Sequence, residues 1–553
     1  MTDRRSYLLV GLAVFAVAAA ARTVPLYWSP LPHVLDGFAH AGHARATLAA
    51  GHVPISTDLR ADLLVITSLT ATASLVTGEA PLYVIQPMTS VAGAAVPLVG
   101  VALTRRLGED LGWPTREVRG AALACGLLLA VQGLFLRHTS IPDPEPLGQL
   151  FAFLAVISLH RLLVRREATV RWAAVLALLL LLFPILHKFS TFNAALGVTA
   201  LSGAELARRP KGRTAAIGGG VSALFWGLFV AYYELVERFG VLGVSYVGRV
   251  RSHPGLFVSW LVVLVVGVAW YQRVSTRTRR GLFFVPLSLL FALVAVNVVR
   301  PVFPGTIRSQ PEITLLVSLL FVPVVFAGYG LFALSRRYET ASVVTALLAG
   351  PLVVIYFALT ADLTPEFFAT AIRGQAFLHV PAFVLVGLAA AGIASRTSGR
   401  TERRGVRAAL LGTLAVSTLL TAPLAFVALD TLDYPGTTAE SELEAVEHTA
   451  AHAEGPWTTD HGPMRVGRTT FGADAGMVPT RTWLRGGPPP DCPMLSFSGW
   501  VSNGANFWPA SPERTDVGRY DRTLAGRNVV YSGGERESVV LSAPRATETP
   551  GCE

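Results

Sequence analysis

Charge is scarce in this chain. Only 15% of its 553 residues are charged, 52% are hydrophobic, and the mean hydropathy is +0.50, which excludes an ordinary soluble enzyme. Lysine is scarcer still: Lys188 and Lys211 are the only two, so nearly all the positive charge is arginine. Three cysteines are too few for a cysteine-rich zinc site or a disulfide-dense scaffold. Low-complexity tracts are missing as well, because the 51 Gly and 35 Pro are dispersed between long apolar runs. Disorder and collagen-like structure are thereby excluded, leaving a polytopic membrane protein.

The net charge of +10 divides unevenly. Residues 1–429 hold 36 Lys+Arg against 19 Asp+Glu, or +17, whereas residues 430–553 hold 10 against 17, or −7. The basic excess belongs to the membrane part and does not point to a nucleic-acid partner. The acidic, Gly/Pro-rich C-terminal segment has no apolar run near 18 residues, as expected of a small water-exposed domain of α/β type. Cys125 falls in an apolar run, as a core residue does. Cys492 and Cys552 fall in the C-terminal segment and are able to pair if it faces an oxidising compartment.

Thirteen apolar runs have the length of membrane spans: 7–24, 82–104, 120–136, 147–164, 172–186, 189–204, 215–233, 255–271, 282–299, 313–334, 341–360, 376–395 and 408–429. The run 61–76 is shorter, rich in Thr and Ser, and follows Asp58, Arg60 and Asp62. It reads as an interfacial or re-entrant helix within a long first outer loop, 25–81. With the N-terminus inside, this count places the Arg-rich loops at 105–119, 161–171, 208–213, 273–280, 336–337 and 396–407 on the cytoplasmic side. It also places residues 430–553 outside. The expected architecture is thus an all-α bundle of about 13 transmembrane helices (1–429) followed by an extracytoplasmic domain (430–553). Cleavage of the first run as a signal peptide is not expected, since it is span-length. No internal repeat and no inverted pair of broken helices is evident.

Few carboxylates remain on the outer side, and three groups stand just beyond helix ends. Asp36 opens Asp36-Gly37-Phe38-Ala39-His40-Ala41-Gly42-His43-Ala44-Arg45. Asp143 and Glu145 belong to the tight loop His138-Thr139-Ser140-Ile141-Pro142-Asp143-Pro144-Glu145-Pro146. Glu312 ends Pro304-Gly305-Thr306-Ile307-Arg308-Ser309-Gln310-Pro311-Glu312. Hard divalent cations such as Mg²⁺ or Mn²⁺ want several carboxylate oxygens from separate elements, and three loops can supply them. Plainer roles compete: Asp36 as a helix N-cap, Asp143 and Glu145 as solvation of a Pro-rich turn, Glu312 as a first-turn acid favoured by the helix dipole. His40 and His43, at i,i+3, share a helix face, but without an HExxH pattern or a third ligand they argue weakly for zinc. Among the scarce outer cations, His187, Lys188, Arg308 and Arg373 stand at helix ends, suited either to holding a phosphate or to snorkelling toward lipid headgroups.

Together these features resemble the GT-C class of lipid-phosphate-sugar-dependent glycosyltransferases, and within it the catalytic subunit of bacterial and archaeal oligosaccharyltransferase. Asp36-Gly37-Phe38-Ala39 is similar to that family's first-loop motif, Asp143-Pro144-Glu145 to its second-loop acid pair, and Thr306 to Glu312, more loosely, to its segment between spans nine and ten. Arg373-Gly374-Gln375-Ala376 resembles the segment whose Arg contacts the lipid-linked pyrophosphate. The resemblance covers roughly residues 7–429. The family's WWDYG motif is not present; Trp457-Thr458-Thr459-Asp460 is a degenerate trace of it, and residues 430–553 contain no Lys for the family's Lys-containing motif.

The resemblance implies a membrane glycosyltransferase that moves a sugar or oligosaccharide from a polyprenyl-phosphate-linked donor to a protein or glycolipid acceptor on the outer face. Asp36, Asp143, Glu145 and Glu312 would hold Mg²⁺ or Mn²⁺, with Asp36 and Glu312 also catalytic. Arg373, Lys188 and His187 would bind the lipid phosphate, and Trp457 and Asp460 the acceptor. Two other readings stay open: a GT-C monosaccharide transferase with a single catalytic acid and no essential metal, and a secondary transporter, whose ionisable groups would sit near the bilayer midplane.

Overall fold

The computed structural model describes residues 2–54, 61–164, 169–239, 245–302, 308–309, 311–362, 364–395, 401–426, 439–453, 455–507, 512–533, 538–545 and 552. The chain begins with α1 (Thr2–Arg22), then two helices of the first long loop, α2 (Leu35–Ala50) and α3 (Leu64–Thr77). Next come α4 (Pro81–Asp110), α5 (Thr115–Val131), α6 (Gly133–Ser140), α7 (Glu145–Val164), α8 (Thr169–Leu186) and α9 (Lys188–Arg208). The bundle continues with α10 (Gly212–Arg238), α11 (Ser245–Ser252), α12 (Pro254–Tyr271), α13 (Thr276–Val299), α14 (Pro311–Ser318) and α15 (Phe321–Gly330). It closes with α16 (Glu339–Ala361), α17 (Pro365–Ala376), α18 (His379–Ser395) and α19 (Thr401–Leu420).

Among the described residues, ten helices are long and apolar enough to cross a membrane, or twelve if two bent pairs each count as one span. The protein is therefore a multi-pass membrane protein. The expected third span is the first bent pair: α5 and α6 meet at 67°. Gln132 turns extended between them, and its side chain caps α6 by accepting from the Phe135 N–H at 2.6 Å. Gly133 lets the end of the last span press in, for a Cβ there would lie 1.7 Å from the Thr421 carbonyl. The second bent pair, α17 and α18, meets at 43°; α18 is the twelfth span expected at 376–395, with α17 bent away before it.

The expected sixth span, α9, is a helix that falls outside the apolar set. It packs against α7, α10, α12 and α16 and is buried along most of its length, Ser190, Thr191, Asn193 and Glu205 included. A helix enclosed by protein needs no lipid-compatible surface, so its polar residues can be satisfied internally. Glu205 lies 3.5 Å from His160 and 3.3 Å from Arg208. The helical stretch Ala61–Thr77 is too short to span, consistent with its separate reading from sequence.

Beyond the bundle lies a small domain: α20 (Glu440–His452), β1 (Trp457–Thr458), α21 (His461–Phe471), β2 (Ala475–Gly476), α22 (Val478–Leu484), β3 (Met494–Phe497), α23 (Gly499–Ser502), α24 (Val517–Ala525), β4 (Asn528–Gly533) and β5 (Val539–Ala543). The strands form one mixed sheet in the order β2-β1-β3-β5-β4, with β1 parallel to both neighbours and β5 antiparallel to β3 and β4. Cys492 and Cys552 are joined in a disulfide with a Cα–Cα separation of 5.3 Å. The domain's core includes Leu31 and Phe38 from the first loop, both fully buried. That shared core seats the domain on α2.

Candidate functional site

Three packing devices draw the first and second loops together. Gly37 is the first: a Cβ at this position would lie 2.5 Å from Pro32 Cβ and 2.6 Å from Pro142 Cγ. Only glycine permits that approach, which brings the backbone beside Asp36 against the Pro142 ring, next to Asp143. Gln86 of α4 is the second. Its Oε1 stands 3.3 Å from both the backbone N–H and Nδ1 of His33, while its Nε2 donates to the Ser140 carbonyl at 2.7 Å. Arg22, fully buried at the end of α1, is the third. It donates to Thr139 Oγ1 at 2.6 Å and to the Ala18 carbonyl at 2.9 Å, with its guanidinium over the Phe135 ring. A buried charge with these partners holds the second loop to α1.

The second-loop acids are built into the start of α7. Asp143 Oδ1 accepts the Glu145 N–H at 2.9 Å, so it caps that helix. Glu145 is 2% exposed; its Oε1 lies 3.3 Å from His138 Nδ1 and accepts from Gln149 at 3.3 Å. Arg373, in the last turn of α17, and His187, at the break between α8 and α9, act electrostatically on Glu145. His187 is also acted on by Asp143, Asp62 and Arg373, and its Nδ1 meets Ser190 Oγ at 2.8 Å. Asp62 is 2% exposed, and its carboxylate faces the Lys188 N–H at 3.5 Å. The structure thus brings Asp143, Glu145, His187 and Arg373 within electrostatic range of one another near the N-terminal end of α9, where the Lys188 N–H faces Asp62. It adds Asp62 and His138, which sequence reasoning did not place in the site although both stand in loops it singled out.

Asp36 is held differently. It lies in the first turn of α2, two residues past the N-cap Val34, so the N-cap role weighed from sequence is not the one it plays. Its carboxylate, 41% exposed, pairs with Arg465 of α21. The neighbouring His461 feels both groups: burial and Arg465 push its basicity down while Asp36 pulls it up. Close packing seats α21 here, since a Cβ on Gly42 would lie 2.5 Å from the Thr469 carbonyl. Arg465 has no signal in the sequence, as it stands 429 residues from its partner.

The remaining expected residues stand elsewhere. Glu312 is an exposed first-turn acid of α14, the dipole-favoured role weighed from sequence. Thr306, Ile307 and Gln310 of its motif lie outside the described residues. Trp457 is 1% exposed and packs within the C-terminal core, where Gly467 makes room for its ring. Asp460 is 3% exposed and accepts the Asn506 N–H at 3.1 Å. Both therefore serve packing in this structure, because burial leaves neither a face for an acceptor. Among the described residues, no three His, Cys, Asp or Glu side chains are grouped to hold a metal ion.

No protein-family profile matches the sequence, and no curated relative does. Solved structures do. Archaeal oligosaccharyltransferase AglB from Archaeoglobus fulgidus, in complex with an inhibitory peptide and a dolichol-phosphate, aligns with a TM-score of 0.51 at 13% identity, over 85% of this chain and 64% of that one. An Archaeoglobus fulgidus oligosaccharyltransferase tethered to an acceptor peptide containing the NVT sequon aligns with a TM-score of 0.52 at 12% identity, over 85% and 64%. ArnT from Cupriavidus metallidurans, bound to undecaprenyl phosphate, aligns over 97% of both chains at 14% identity with a TM-score of 0.46. The chain spans about 64% of the length of the archaeal proteins. At these identities the likeness to the archaeal structures shows the fold alone, a GT-C membrane fold.

Proposed function

We propose that this protein is a membrane glycosyltransferase taking a sugar or oligosaccharide from a polyprenyl-phosphate-linked donor to an acceptor on the outer face of the membrane. The observation that carries this reading is the cluster at the head of α9, where Arg373, Lys188 and His187 gather beside Asp143 and Glu145 and next to the Gly37–Pro142 contact. Cations at helix-end depth suit a lipid phosphate, and an acid on the adjoining loop suits an acceptor hydroxyl or amide. In the reaction, the acceptor nucleophile forms a bond to the anomeric carbon, the bond to the donor phosphate oxygen breaks, and the acceptor proton passes to Asp36. Arg373, with Lys188, offsets the charge growing on the departing lipid phosphate, and His187 serves it as a hydrogen-bond donor. This scheme has the N-terminus cytoplasmic and the C-terminal domain outside, in line with the Arg-rich loops. The peptide bound in the archaeal structures supports a protein acceptor, with a glycolipid as the alternative.

A Mg²⁺ or Mn²⁺ ion belongs to the finer half of the proposal. Asp36, Asp143, Glu145 and Glu312 are its candidate holders, and such an ion would stabilise negative charge on the leaving phosphate. As the side chains stand, Asp36 is engaged by Arg465 and Glu145 by His138, so ion binding requires Asp36 to leave Arg465. That separate anchoring of Asp36 is the observation favouring the second reading, a monosaccharide transferase with one catalytic acid and no essential metal. Membranes containing the protein, supplied with a labelled polyprenyl-phosphate-linked sugar, test both: EDTA inhibition reversed by Mn²⁺ supports the metal, whereas EDTA-insensitive transfer that still needs Asp36 supports the single acid.

A further inference from the structure

At the other end of the bundle lies a cavity of about 500 Å³ with no assigned role, lined among others by Gln272, Arg273, Ser275, Arg279, Arg336 and Arg337. The turn between α12 and α13 forms one wall and the turn between α15 and α16 the other. Arg273 donates to the carbonyl of Ala207 near the C-terminus of α9 at 3.1 Å. The cavity and the Arg373 cluster therefore sit at opposite ends of the 21-residue α9, about 30 Å apart at 1.5 Å per residue.

The walls are fixed by one buried arginine. Arg279, 4% exposed, donates to the carbonyls of Tyr271 at 3.0 Å, Gln272 at 3.1 Å and Leu331 at 3.4 Å, and the Arg336 N–H donates to the Gln272 carbonyl at 3.3 Å. Arg273, Arg336 and Arg337 are exposed, and no carboxylate is among the lining residues. On other Arg-rich loops three guanidinium groups are paired with carboxylates: Arg105 with Glu109 at 2.7 Å, Arg208 with Glu205 at 3.3 Å, and Arg209 with Glu339. Among the described residues no carboxylate pairs with Arg273, Arg336 or Arg337. Topology accounts for arginine in these loops, but it does not require several to converge, without counter-charge, on one preformed cavity.

Two further features face the same space. Ser275 is the N-cap of the 24-residue α13, so the positive end of that helix dipole points here. Gln272, 2% exposed, donates its Nε2 to Ser342 at 3.3 Å and leaves Oε1 without a partner, an acceptor suited to a hydroxyl.

We infer that this cavity binds a phosphate ester carrying a hydroxyl group, supplied either by an anionic lipid headgroup or by a soluble phosphorylated molecule. The inference does not depend on the transfer reaction. The full-length protein in detergent is titrated with short-chain phosphatidylglycerol, short-chain phosphatidylcholine and, separately, glycerol 1-phosphate, with binding read by native mass spectrometry. The double variant Arg336→Gln/Arg337→Gln, at two exposed positions, serves as the control for the site. Preference for phosphatidylglycerol over phosphatidylcholine, lost about 20-fold in the variant, assigns the headgroup; about fivefold per arginine is the scale for a cation near an anionic surface. Glycerol 1-phosphate binding with the same loss, and no lipid preference, assigns the soluble source. Equal binding by the native protein and the variant, or no binding of either phosphate, overturns the inference. Unchanged melting temperature in the variant separates lost binding from lost folding.

Discussion

Asp36 and Glu145 come from loops that touch at Gly37 and Pro142, yet the protein holds them in opposite ways. Glu145 is nearly inaccessible, set between His138 and Gln149 and within the field of Arg373 and His187. Asp36 is 41% exposed and tied to Arg465 of another domain. The difference separates a fixed part of the site from an adjustable one. The bundle supplies the surroundings of Glu145, whereas Asp36 meets a side chain of the C-terminal domain.

The largest stability effect is expected at the fixed acid. Glu145→Ala removes a buried carboxylate from against His138 and Gln149, costing about 3 kcal/mol, read as a lowered melting temperature in detergent. Gly37→Ala comes next, because its new Cβ meets Pro32 and Pro142 within 2.6 Å. Overpacking of this kind costs about 1–3 kcal/mol, and it separates the two acids as well, so transfer falls along with stability.

Smaller effects probe the joint itself. Burial holds His33 at a pKa of about 4, below its ordinary 6.5, despite its bond to Gln86. Neutral His33 therefore contributes stability fully above pH 6.5, and that contribution declines as pH falls toward 4. A melting-temperature series from pH 7 to 4.5 is expected to flatten in His33→Gln. The smallest effect is at the adjustable acid: Arg465→Gln removes a half-exposed pair and changes stability by no more than about 1 kcal/mol. A large loss there would show that Asp36 is as fixed as Glu145 and dissolve the contrast.

Sequence carried the membrane class and most span positions, because apolar run length is a local signal. It missed what depends on contacts distant along the chain. The kink at Gln132 arises where Thr421 presses on Gly133. Trp457 resembled an acceptor residue only while its burial was invisible. Asp62, Arg465 and the arginine cavity emerge from folding alone, since each joins elements far apart in the chain.

Transfer of a labelled sugar from a polyprenyl-phosphate-linked donor, in membranes bearing the native protein, Asp36→Ala or Arg373→Gln, tests the central claim most directly. The account predicts transfer by the native protein, a loss of at least about a hundredfold in Asp36→Ala with its melting temperature nearly unchanged, and a comparable loss in Arg373→Gln. Full transfer by Asp36→Ala, or solute uptake into proteoliposomes with no transfer by the native protein, would contradict it.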